Sequence, residues 1–312
     1  MTRPLAAAPP GADPTTTVPA RIVELAREAS YEVSARDGEA IKKAGARLTP
    51  GTRISVTWMP ADNDDDRVSA ARQLRDAGLE PVPHIAARML KDEHHLDRLL
   101  GRLSAEAGVG QLLVISGDVK QAVGPFESSS DLIASSAFRK PMLHTIWVGG
   151  YPEGHPTIDD ETLRAVLDRK IATIGELGMT PGVITQFCFD AEPILQWMKA
   201  FRERHDGVAV RVGLAGPAGI RTLLRYAAIC GVGASAKALI TRGASIARLL
   251  SEAAPDPVIR DLAETPTYGE LQPVGFHLFP FGGLDRTVRW MEVVAAGRFK
   301  LHSSASGFQV LE

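Results

Sequence analysis

The chain has 312 residues, 45% apolar and 23% charged, enough for a large core and for one (β/α)8 barrel of roughly 250 residues with a tail. Lys and Arg number 35 against 37 Asp and Glu, and this charge of -2 excludes the broad basic field that nucleic-acid binding needs; no apolar run approaches the roughly 20 residues of a membrane span. Cys188 and Cys230 are too few for a disulfide framework or a cysteine zinc site, and the Met-Thr-Arg-Pro start lacks a signal-peptide core, so the expected compartment is the reducing cytoplasm.

Residues 1–19, rich in Ala, Pro, Thr and Gly, read as a disordered tail, and 20–312 as a single catalytic domain. Arg21 to Glu28 is expected to form a helix ahead of the first strand. Eight short apolar, β-branched segments follow as strands: Ser30 to Ala35, Arg53 to Trp58, Pro81 to Ala87, Gln111 to Asp118, Leu143 to Tyr151, Gly182 to Phe189, Val208 to Ala215 and Gly275 to Phe281. Amphipathic helices are expected between them, at Asp66 to Ala77, His94 to Ala107, Asp159 to Leu177, Ala191 to His205 and Ile220 to Cys230, with Leu284 to Ala296 after the last. Two more helices are expected within Gly233 to Thr267. Strands alternating with helices pair in parallel through crossovers, and eight such units close without an edge, so the fold class is a (β/α)8 barrel. A doubly wound open sheet is the competing architecture, but no GxGxxG follows the first strand.

Active sites of such barrels form at the C-terminal strand ends. The polar residues there are Glu32, Thr57, His84, Asp118, the run Tyr151 to His155, Gln186 and His277. In that order, with Ile184-Thr185-Gln186-Phe187-Cys188-Phe189-Asp190, Gly150-Tyr151-Pro152-Glu153-Gly154-His155-Pro156 and Gly117-Asp118 as the carrying strings, the sequence resembles the methylenetetrahydrofolate reductase family of flavin-dependent barrels.

The resemblance implies interconversion of 5,10-methylenetetrahydrofolate and 5-methyltetrahydrofolate, with NADH or NADPH as hydride donor and FAD as cofactor. Glu32 matches the family's general acid, and desolvation on an apolar strand would suit that role. The competing reading is a surface carboxylate paired with an arginine. Asp118 matches an aspartate near flavin and pterin that would favour a cationic intermediate, against a helix N-cap after Gly117. Gln186 matches the folate-contacting glutamine, with Phe187 beside it, against a satisfied interior amide. By position, Thr57, His84, Gly117, Tyr151, His155 and Asp168 would contact flavin.

Departures from the family pattern are Val33-Ser34-Ala35-Arg36 after the acid, Ser116 in place of an arginine before Gly117-Asp118, and Thr173 and Gly175 near the positions of two lysines, with Arg169 and Lys170 close by. Trp58-Met59-Pro60-Ala61 replaces a glycine-containing loop, which would let Trp58 occupy or stack on the ring space. Glu93-His94-His95 reads as a solvated helix start and Asp62 to Asp66 as a helix N-terminal turn, so no metal is expected. Direct hydride transfer without flavin, a non-redox folate-binding or methyl-transferring barrel, and a non-catalytic subunit are the alternatives. The expected partner is a small folate, and a homo-oligomer is left open.

Overall fold

The computed structural model describes residues 16–139, 142–232, 252–303 and 306–311. Eight strands form the sheet: β1 (Ser30–Ser34), β2 (Arg53–Thr57), β3 (Glu80–Ala86), β4 (Gln111–Ile115), β5 (Thr145–Gly150), β6 (Thr180–Thr185), β7 (Ala209–Ala215) and β8 (Val274–Phe279). They close into a barrel in the order β1-β8-β7-β6-β5-β4-β3-β2, as the alternation of periods requires. The neighbours β1 to β5 pair in parallel, with Glu32 level with Ser55 and His84 level with Leu113, and so do β7 and β8, with His277 level with Gly213.

The chain falls into two compact units, one of Ser30–Gly150 and Thr157–Ile184, the other of Met1–Ala29, Tyr151–Pro156 and Thr185–Glu312. In the first, α3 (Asp64–Asp76) begins in a capping box: Asn63 accepts from the Asp66 N–H and Asp66 accepts from the Asn63 N–H. The acidic run is thus a helix start, as its sequence suggests. Helix α4 (Glu93–Ala107) is capped by Asp92, buries Leu96, Leu99, Leu100 and Leu103 along one stripe, and ends on left-handed Gly108. Helix α6 (Asp160–Glu176) is capped by Asp159. Helices α2 (Gly38–Gly45) and α5 (Ser129–Ile133) complete this unit; they are too short for periodicity to reveal.

In the second unit α1 (Val18–Arg27) starts with Pro in its first turn and buries Ile22, Leu25 and Ala26. The helix therefore reaches back into the segment assigned to the tail, whose residues 1–15 lie outside the described part. Helices α7 (Ala191–Arg202), α8 (Ile220–Ile229), α9 (Asp256–Glu264) and α10 (Leu284–Ala295) follow. Asp190, the last residue of the Ile-Thr-Gln-Phe string, caps α7 by accepting from the Glu192 N–H at 3.1 Å. Of the two helices expected within Gly233 to Thr267, one is α9; residues 233–251 are outside the described part. A hairpin of Phe299–Leu301 with Phe308–Val310, not foreseen, closes the chain, with Phe308 stacked on Trp290. Among the described residues no helix is long and apolar enough to cross a membrane.

Candidate active site

Within the first unit, β1 and β3 are alternate strands, which in a closed barrel contribute inward side chains to the same layers. Glu32 on β1 and His84 on β3 meet accordingly: Oε2 and Nε2 stand 4.0 Å apart, with only 15% and 10% of their side chains exposed. That distance is beyond a direct hydrogen bond but well within Coulombic reach. On the intervening β2, the Thr57 hydroxyl donates to the Val33 carbonyl at 3.3 Å, tying the ends of the two strands.

The loop after β2 differs from its expectation. Trp58 is buried, the Arg67 guanidinium lies 3.4 Å from its ring centroid, and His95 meets it edge-on at 6.5 Å. Arg67, only 1% exposed, pairs with Asp64, and Asp64 accepts from His95 Nε2 at 3.0 Å. Burial pushes the Arg67 guanidinium below its ordinary value, while Asp64 opposes that shift. Trp58 is therefore locked against α3 and the start of α4, and is not available to stack on a ligand ring. His95, read as part of a solvated helix start, is buried and serves this same lock.

Strand β4 ends at Ile115, so Gly117 and Asp118 lie in the following loop. Gly117 has φ 91°, a conformation that a side chain would strain. Ser116, standing where the family has arginine, accepts through Oγ from the Ser129 N–H at 3.1 Å. Arg88 holds the same loop by donating to the Glu127 and Val119 carbonyls at 2.8 and 3.4 Å. Asp118 is exposed and caps no helix, because α5 begins at Ser129 under the Ser128 side chain. Asp168 lies in the middle of α6, roughly 12 Å along the helix from Asp160, and is half-buried. Two residues on, burial alone pulls the Lys170 ammonium down to about 8.

The second unit presents a different chemistry. Gln186 follows β6 directly and is half-buried, and its Oε1 accepts from the Phe187 N–H at 3.1 Å. The amide NH2 remains as a donor pair. Tyr151 and His155 form an edge-to-face pair with centroids 5.6 Å apart, on a turn closed by the Gly154 N–H to Tyr151 carbonyl bond of 3.1 Å. Phe187, expected as a substrate contact, is fully buried and reaches a ligand only through the rings packed on it. Those rings are Phe189, Phe279 and Phe281, at 5.6, 5.5 and 4.9 Å, and Tyr226 of α8 stacks on Phe281 at 4.1 Å.

This cluster explains why expected strands ran too long. Gly182 to Phe189 and Gly275 to Phe281 stay apolar past the last ladder residues, Thr185 and Phe279, because the chain there builds an aromatic cluster instead of more strand. The Phe-x-Phe spacing at 187/189 and 279/281 was the available signal, since alternate residues of extended chain share a face. Arg67 carried no such signal.

Eight parallel strands closed into a ring, with helices between them, define a (β/α)8 barrel. The family model for methylenetetrahydrofolate reductase matches residues 38–242, well over half of the chain, and the chain belongs to that family. Its structure is similar to that of an uncharacterized protein from Clostridium thermocellum that binds two copies of 5-methyl-5,6,7,8-tetrahydrofolic acid, with TM-score 0.61 and 12% identity over 86% of this chain and 94% of that one. It is also similar to the carboxyl transferase domain of Rhizobium etli pyruvate carboxylase with 3-hydroxypyruvate, with TM-score 0.44 and 11% identity over 89% of this chain and 49% of that one. At 12% identity the first of these likenesses speaks for the fold alone.

Proposed function

We propose that residues 20–312 act as one catalytic domain that interconverts 5,10-methylenetetrahydrofolate and 5-methyltetrahydrofolate with NADH or NADPH. The carrying observation is the half-buried Glu32 carboxyl group facing His84 at 4.0 Å, in a chain of this family. In the reducing direction Glu32 gives its proton to N10 of the folate. The bond from N10 to the bridging carbon breaks, leaving a 5-iminium cation, and hydride addition to that carbon completes the methyl group. Asp118, exposed on its loop, supplies negative potential for the cation, and the Gln186 NH2 donates to the pterin.

The family implies FAD. Thr57, His84, Gly117, Tyr151, His155 and Asp168 would hold it, their hydroxyl, imidazole, phenol and carboxylate groups suiting a flavin ring and a ribose. When bound it would relay hydride between nicotinamide and folate. The fit is good for ring and ribose and poor for the diphosphate: Ser116 is neutral and engaged by α5, Arg88 is engaged by two carbonyls, and Lys170 is half-buried with its ammonium desolvated. Each missing charge-assisted contact weakens binding by roughly 1.5–3 kcal/mol, so FAD is expected to bind and to wash out on purification. The engaged Ser116 and locked Trp58 also favour a second reading, hydride passing directly from nicotinamide to folate.

One experiment tests both parts. Glu32→Gln should keep the fold and folate affinity and lower folate turnover by about 10²- to 10⁴-fold, whereas wild-type turnover in the variant would end the general-acid role. Turnover by flavin-free protein, with no flavin absorbance and no response to added FAD, would select direct transfer. Folate binding without any hydride transfer from either nucleotide would leave a non-redox folate protein.

A further inference from the structure

The chain between β4 and α5, residues 116–128, has no strand or helix of its own, yet it is tied along its length to the single turn Ala87–Met89 that follows β3. Arg88 makes most of these ties by itself. Its N–H donates to the Ser116 carbonyl at 3.0 Å, and its carbonyl accepts from the Val123 N–H at 2.9 Å. Its guanidinium donates to the Glu127 carbonyl at 2.8 Å and to the Val119 carbonyl at 3.4 Å, with the Glu127 carboxylate 4.0 Å away.

Close packing completes the seam. Gly124 crosses the chain at Leu90 and Lys91 so tightly that a Cβ would collide with both carbonyls, and Phe126 is buried. Loops longer than about 12 residues without regular structure ordinarily serve as lids or are disordered. This one is a fixed wall. Asp118 stands on it exposed, and among the described residues no hydrogen bond or ion pair holds its carboxylate. Its place is therefore set by the backbone on either side, and Arg88 grips that backbone at Ser116 and at Val119.

We propose that Arg88 is the positioning residue for Asp118. Its planar guanidinium reaches two carbonyls at once, which closes the span from Val119 to Glu127 and keeps Asp118 at one distance from the cation formed on the substrate. The inference rests on the role of Asp118 given above and adds the residue that fixes it. Electrostatic stabilisation of a cation needs a charge that does not move during the reaction, and a displacement of about 1 Å costs up to about 10²-fold in rate. Because Arg88 acts through the loop, its loss falls on turnover and not on substrate affinity.

The experiment is a double-mutant cycle on the full chain with Arg88→Gln, Asp118→Asn and both together, read by steady-state folate turnover and by amide hydrogen exchange. Arg88→Gln should lower kcat about 10- to 100-fold with the folate KM within about twofold of wild type, and the amides of 117–127 should exchange about tenfold faster. With Asp118 already neutral, removing Arg88 should change kcat by less than about twofold. Arg88→Lys keeps the charge but not the two-pronged grip and should still lower kcat about fivefold or more; it takes the place of Arg88→Gln in the cycle should that variant not fold. Effects that multiply in the double variant, unchanged loop exchange in Arg88→Gln, or wild-type kcat in Arg88→Lys each overturn the inference and leave Asp118 in the reaction. Wild-type kcat in Asp118→Asn instead removes Asp118 from the reaction, and the inference falls with it. Protein that turns over no folate overturns both readings.

Discussion

The two units of the barrel finish their strands in opposite ways. The unit of Ser30–Gly150 and Thr157–Ile184 carries ionisable groups on β1 and β3 and an ion pair beside the loop after β2, with Glu32 facing His84 and Arg67 held between Trp58 and Asp64. The unit containing Thr185–Glu312 ends β6 and β8 in stacked rings backed by a buried Phe187. Proton transfer needs a charge-bearing group kept in one place, and an ion-pair lattice does this by enthalpy at the cost of desolvation. Recognition of a flat substrate needs ring faces, which burial of apolar area holds together without any charge.

The largest break in this comparison is expected at the lattice. Arg67→Ala leaves Asp64 and Trp58 without their shared partner in a buried setting, and should cost about 3–5 kcal/mol in urea unfolding. Removing a mere surface pair would cost under about 1 kcal/mol. A loss that small for Arg67→Ala would mean that the loop after β2 is held by something other than this lattice, and the contrast between the units would fail on the polar side.

A smaller effect of opposite sign is expected at Lys170, an ionisable group in the polar unit that burial alone pulls down to about 8. Its folded value lies below the unfolded one of about 10.4, so the charged form is penalised in the fold. The penalty is complete below pH 8 and disappears as pH rises toward 10.4. Lys170→Met should therefore raise stability at pH 7 by about 1–3 kcal/mol, with the gain fading by pH 10.5. Thermal unfolding of both proteins at pH 7 and 10 reads it, and a gain equal at both would show that packing, not charge, is responsible.

What was legible in the sequence divides along the same line. Strand and helix alternation was readable because period-2 and period-3.6 patterns are local, and so was the run Asp62 to Asp66 as the start of α3, where Asn63 caps. Glu32 and His84 were picked out as strand-end residues; Glu32 stands mid-way along β1 and His84 two residues before the end of β3, and the fold brings them face to face. The Trp58–Arg67–Asp64–His95 lattice was not legible: it joins the end of β2 to α3 and α4, and nothing local in Arg67 distinguishes it from a solvated helix arginine. The aromatic cluster was misread as extra strand because apolar periodicity does not say where a ladder stops.

The finest test concerns Gln186, which serves both readings at once. Its Oε1 accepts from the Phe187 N–H, so the side chain helps seat the ring beneath the aromatic cluster, while its NH2 is the donor proposed for the pterin. Gln186→Ala removes both and should raise the folate KM about five- to tenfold, with flavin or nicotinamide oxidation little changed. That result alone does not say which half of the amide matters. Gln186→Glu separates them, because a carboxylate oxygen still accepts from Phe187 but nothing remains to donate. If the donor contacts substrate, Gln186→Glu raises KM as much as Gln186→Ala while unfolding like the wild type. Should Gln186→Glu keep the wild-type KM, the residue belongs to the seating of Phe187, and recognition of the pterin must be sought on other strand ends.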